Sequence, residues 1–235
     1  MPAPAPAVRT LLMAACIGLL TLAAPRQAHA DLLLEGSSVA LLTGTTVAAE
    51  PHLAGLIVED RFDAFSFSGA NGVVSGSVQS RVVRSSVDGT LDFYWRVISD
   101  ANSSDDIGSF RLGQIFTDEY RVNWRLDGTG DVSPTSAYRF SGAQSSAFNF
   151  NFNHLDATGA PDGLSAGQTS YFMFLDTDAT SYDFSGVMDV ADMNHTHISG
   201  IFSTFAPTAA TVPEPGSLAL AGLALGALAL RRRRR

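Results

Sequence analysis

Long stretches of this chain alternate apolar and polar residues one by one, a period that suits a half-buried strand and does not suit a helix. Tyr120, Val122, Trp124 and Leu126 alternate with Arg121, Asn123, Arg125 and Asp127. Leu91, Phe93, Trp95 and Val97 form a second apolar row opposite Asp92, Tyr94 and Arg96, and Phe148, Phe150 and Phe152 a third, opposite Asn149, Asn151 and Asn153. Turn residues separate such runs: Gly69 to Gly72, Asn102 to Asp106, Asp127 to Asp131, and Ala160 to Gly163. Asp88-Gly89, between two runs, predicts a two-residue hairpin turn. Little of this region repeats every 3.6 residues. The expected fold is all-β, an antiparallel sandwich or jelly roll of about eight to twelve strands, with helix mainly at the two ends of the chain.

Those ends differ from the middle. Arg9 precedes an apolar run from Leu11 to Ala24, followed by Pro25 and the small-residue site Ala28-His29-Ala30. That is the layout of a secretory signal peptide, residues 1–30, with cleavage before Asp31 by signal peptidase after passage through the Sec translocon. The run is too short to span a bilayer, which takes about 20 apolar residues. Cys16 lies inside it and reads as an ordinary apolar position. Cleavage leaves no cysteine, so export to an oxidising compartment brings no disulfide. At the other terminus stand Pro213-Glu214-Pro215, an apolar stretch from Gly216 to Leu230, and Arg231, Arg232, Arg233, Arg234 and Arg235. At ~1.5 Å per residue the stretch spans ~22 Å, and snorkelling arginines make up the shortfall against a bilayer. The Arg cluster is a topological stop that stays cytoplasmic and holds Pro-Glu-Pro outside.

The order of these three parts resembles the PEP-CTERM sorting signal of Gram-negative bacteria. The resemblance implies an exosortase that reads Pro213, Glu214 and Pro215, with a short transmembrane helix holding the chain until processing. It covers residues 213–235, after a small-residue linker, 208–212. The body, 31–207, resembles uncharacterised all-β proteins carrying such tails, through the stretch from Ser75 to Arg96 and through Ile198 to Pro207. Leu164 to Leu175 resembles the Leu-x-x-Gly turn that leads into a core strand of bacterial Ig-like modules.

Every one of the 15 basic residues is Arg, set against 23 acids for a net charge of −8. With both ends removed, eight Arg face 22 acids, a charge of −14. Such a surface repels polyanions and excludes a nucleic-acid partner.

Chemistry-bearing residues are scattered. Calcium takes carboxylate and carbonyl oxygens, and the acidic clusters to inspect are Asp176, Asp178 and Asp183, then Asp105-Asp106, and Asp127 with Asp131. None fits an EF-hand loop, and Asp in turns more often caps local backbone. No other cofactor is expected. His195 and His197, two apart, would face the same side of a strand, where they could share a transition metal with His154 or Asp192, although half-exposed strand histidines are the commoner case. No Gly-x-Ser-x-Gly elbow, no Ser-x-x-Lys and no Gly-rich phosphate loop is present. A pair of carboxylates for glycoside hydrolysis depends on the fold and not on spacing. Sugar binding would use Tyr94 and the Asn149, Asn151, Asn153 face, because Trp95 and Trp124 sit in apolar rows where core packing is the usual role. The reading is a non-catalytic exported protein that passes through the inner membrane to the outer surface or matrix, associated with exopolysaccharide or biofilm. A lectin-like protein is the alternative, and a secreted glycan-active enzyme a more distant one.

Overall fold

The computed structural model describes residues 29–208. The apolar run of the signal peptide with Ala28, the linker beyond Thr208, Pro213, Glu214 and Pro215, the apolar tail stretch and Arg231 to Arg235 lie outside the described residues. Fourteen strands run in chain order: β1 Asp31–Leu32, β2 Ser38–Val39, β3 Gly55–Gly69, β4 Gly72–Ser85, β5 Leu91–Ser99, β6 Ile107–Gly113, β7 Arg121–Trp124, β8 Ser136–Arg139, β9 Phe148–Asn151, β10 His154–Leu155, β11 Pro161–Asp162, β12 Met173–Asp176, β13 Tyr182–Asp192 and β14 Phe202–Pro207. Single 3-10 turns occur at Pro51–Leu53 and Gly142–Gln144. The first sheet has the order β1-β7-β12-β5-β4-β3, the second β14-β13-β6-β9-β8-β2, and β10 and β11 form a small pair. Every strand pairing is antiparallel, so the body is an antiparallel β-sandwich. The strand number exceeds the sequence expectation because β1, β2, β10 and β11 are two residues long, too short to show a period.

The alternating rows become the inner faces. Leu91, Phe93, Trp95 and Val97 of β5 are buried, as are Phe148 and Phe150 of β9 and Phe152 beyond it. Trp95 and Trp124 both join this core, at 1% and 7% exposure. Leu126 is exposed, since β7 has already ended and the chain turns at 126–127. A buried polar chain crosses between the sheets: Trp95 Nε1–H donates to Thr204 Oγ1 at 2.8 Å, and the Thr204 hydroxyl donates to Ser80 Oγ at 3.1 Å. These bonds offset the cost of placing an indole N–H in an apolar core.

The β4–β5 hairpin forms where Asp88-Gly89 predicts it, with a longer loop, 86–90. Asp88 Oδ1 accepts both the N–H and the O–H of Thr90, and Gly89 takes φ +80. Gly44 also needs to be glycine: its φ is +73, and a Cβ would lie 2.7 Å from the ring of Trp124, whose Nε1–H donates to Leu42 O at 3.2 Å. Thr208 is still docked, its N–H on Ser181 O at 3.1 Å.

Candidate functional site

The outer face of the first sheet collects most of the polar chemistry. Residues of β5 that alternate with the core row point here: Asp92, Tyr94 and Arg96. Tyr94 is only 3% exposed, which corrects its reading as a solvent-facing sugar platform. The segment between β2 and β3 folds back over this face, and its Pro51–Leu53 turn lies on the ring. Tyr94 O–H donates to Leu53 O at 3.0 Å, while Ala30, Val83, Phe172 and Phe174 complete a second apolar cluster.

Asp92 lies beside this cluster and is fully buried. Burial, and then the charge of Asp176, push its carboxyl up to about 8. Among the described residues neither of its oxygens has a conventional donor. A proton shared with Asp176 would serve one of these oxygens, since two carboxylates side by side cannot both ionise. Burial also raises Asp176, opposed by His52, whose Nε2 is 3.3 Å from Asp176 Oδ2. Nearby, Glu50 is 6% exposed; its Oε1 accepts Ala30 N–H at 2.9 Å and lies 3.5 Å from His29 Nδ1. A cleft of about 340 Å³ opens past His52, Asp88, Arg121, Asp176 and Asp178.

The calcium candidates are not brought together. Asp176 turns to His52 and Asp92, whereas Asp183 accepts from the N–H and O–H of Ser185. Among the described residues no three His, Cys, Asp or Glu converge on a point that would hold a metal. Asp127 pairs with Arg125 and caps Val47, Asp131 accepts Thr169 N–H, and Asp105 accepts Asn71 N–H. The histidines are likewise dispersed. β13 ends at Asp192, so His195 and His197 lie in a turn rather than on one side of a strand, with His195 at φ +55. His195 Nδ1 meets Ser109 Oγ at 3.1 Å, His197 Nδ1 meets Asp192 Oδ2 at 2.7 Å, and His154 Nε2 meets Ser133 O at 2.7 Å. On the outer face of β9, Asn149 Nδ2–H donates to Asn151 Oδ1 and Asn151 Nδ2–H to Ser136 Oγ, while Asn149 Oδ1 is buried with no hydrogen-bond partner among the described residues. Asn153, beyond the strand, is exposed.

At the other end of the Tyr94 cluster three arginines meet. Arg81 of β4 and Arg96 of β5 each lie 4.8 Å from the ring centre of Phe172, and Arg125 lies 5.9 Å from that of Tyr94. Asp60 pairs with Arg81 and Asp127 with Arg125, both at 2.7 Å. Arg96 has no carboxylate partner among the described residues; its Nε–H donates to Gln79 Oε1 at 2.6 Å, and burial followed by the charge of Arg81 lowers its proton affinity. Arg81, Arg125, Tyr94, Thr129 and Phe172 line a pocket of about 300 Å³. Sequence reading missed this group and the Glu50–Asp92–Asp176 group. Period two does show Gln79 and Arg81 on one side of β4, but only register sets Gln79 opposite Arg96 and Arg81 opposite Tyr94.

A family model for the PEP-CTERM protein-sorting motif matches residues 211–235. The chain is a PEP-CTERM domain-containing protein. The match includes Pro213, Glu214 and Pro215 and the five terminal arginines, and the motif implies an exported chain processed by an exosortase. Neither the curated proteins nor the solved structures contain a match to this PEP-CTERM protein.

Proposed function

We propose that this PEP-CTERM protein is a non-catalytic structural component of the outer surface or extracellular matrix of an exopolysaccharide-producing Gram-negative bacterium, released from its membrane intermediate by exosortase. The observation that carries this reading is the sorting motif at residues 211–235 behind an antiparallel β-sandwich. Asp92, the group best suited to act as an acid near neutral pH, is fully buried and out of reach of a polymer. Mass spectrometry of both ends of the native protein, with cell fractionation, tests the reading. The expected protein begins at Asp31, lacks Arg231 to Arg235 and accumulates with the matrix; an intact Arg tail in the surface fraction would overturn it.

One observation favours a second reading, binding of an anionic glycan. Two of the eight body arginines, Arg81 and Arg125, line the Phe172 pocket of an otherwise acidic body, and a third, Arg96, lies over the Phe172 ring with no carboxylate partner among the described residues. A guanidinium pair suits a carboxylate or sulfate. Retention on an acidic but not a neutral polysaccharide, lost in Arg96→Gln with stability unchanged, would support it. Equal retention on both polymers would exclude the pocket.

A further inference from the structure

Asp31, Glu50, Asp92 and Asp176 gather at one end of the outer face, and their Coulombic effects on one another are mutually unfavourable. The bases beside them are His29 and His52. Glu50 is the acute case. It is 6% exposed, and its Oε2 is buried with no hydrogen-bond partner among the described residues. A buried carboxylate normally requires a cation and filled lone pairs. Among the described residues Glu50 Oε1 meets the Ala30 N–H and the His29 ring, and both of those residues precede Asp31.

Cleavage before Asp31 would therefore take away what Glu50 touches and, in the same event, create a primary amine on Asp31. That nitrogen lies one peptide unit, at most ~3.8 Å, from the Ala30 nitrogen that Glu50 holds at 2.9 Å. Its position is fixed: Asp31 pairs with Val122 of β7, and two residues on Leu33 N–H donates to Tyr120 O at 2.7 Å. We propose that Glu50 is the binding site for the α-ammonium group released when the signal peptide is cut before Asp31, so that processing supplies the missing cation and locks β1 onto the first sheet. Peptide hydrolysis is the only covalent step: water adds across the Ala30–Asp31 bond, giving a carboxylate on the leaving peptide and the ammonium on the retained chain. The free ammonium has three donors where the peptide had one, enough to keep the Val122 pairing and fill the open oxygen of Glu50. A precursor lacking this pair would hold its first strand more loosely, which suits a chain that must cross a membrane before it folds. The inference requires cleavage before Asp31 and is independent of any matrix role.

The test uses the whole chain from Asp31 to Arg235 in three forms: free α-amine, acetylated α-amine, and Ala28-His29-Ala30 retained. Each is made with Glu50 and with Glu50→Gln, and the readouts are urea unfolding and titration of the α-amine by NMR. The free-amine form should fold about 10-fold more favourably than the acetylated form with Glu50, and this advantage should vanish with Glu50→Gln. The amine should titrate above its ordinary range of about 7.7 to 8.0 with Glu50 and return to it with Gln. Equal advantage in both backgrounds would overturn the proposal. If Glu50→Gln does not fold, the wild-type amine still decides: titration within the ordinary range refutes the pair. Sequencing of the native N-terminus separates the two premises, since a start other than Asp31 overturns the biological event whatever the engineered chains show.

Discussion

Asp92→Asn should stabilise this protein near neutral pH, although it alters a fully buried polar residue. In the folded chain Asp92 is held to about 8, against 3.8 for a free aspartate, by burial and by Asp176. Between those values the folded state carries a proton that the unfolded state has lost. Stability associated with Asp92 is thus fully present below about pH 4 and falls as pH rises through 8. At pH 7 the difference of about three pH units from the unfolded value corresponds to a loss on the order of 4 kcal/mol at ~1.36 kcal/mol per unit. Asparagine has the same shape, stays neutral and can donate N–H to Asp176, so it should recover much of that loss. Urea unfolding between pH 4 and 9 is the assay. Wild type should lose stability steadily towards pH 8, whereas Asp92→Asn should show a flatter profile that meets wild type near pH 4 and exceeds it by roughly 2 to 4 kcal/mol at pH 8. Parallel profiles, or a variant weaker than wild type at pH 8, would refute the shared-proton account of Asp92 and Asp176.

Trp95→Ala should cost ~3 to 5 kcal/mol in chemical unfolding, because a large buried ring leaves a cavity that relaxes only in part. Tyr94→Ala should cost a similar ~3 to 5 kcal/mol, since this ring too is covered; a loss below ~1 kcal/mol would mean that the Pro51–Leu53 turn does not sit on it. Thr204→Val should cost ~1 to 3 kcal/mol by leaving Trp95 Nε1–H without an acceptor, and Trp95 fluorescence should report the change. In the sorting tail, Glu214→Ala should leave membrane insertion intact and reduce processing, while replacement of Arg231 to Arg235 should disturb insertion first; pulse-chase with fractionation distinguishes the two.

Local pattern alone carried the fold class and the sorting motif of the tail. Alternation places Leu91, Phe93, Trp95 and Val97 on one side of a strand whatever its neighbours are, because successive Cβ atoms point oppositely. The tail is legible for a related reason: Pro-Glu-Pro, apolar stretch and Arg cluster are contiguous, and their meaning lies in their order. Alternation cannot say what covers the other side. Tyr94 reads as exposed until the segment before β3 folds over it, and this face is consequently apolar in patches on both sides of β5. His195 and His197 would share a face only if β13 continued, and the strand stops at Asp192. The proton shared by Asp92 and Asp176, the Arg81–Phe172–Arg96 cluster and the open oxygen of Glu50 all join residues distant in the chain. Each arises from strand register and from a loop packed across a sheet, and register is settled by the whole core closing at once, which no short stretch of residues contains.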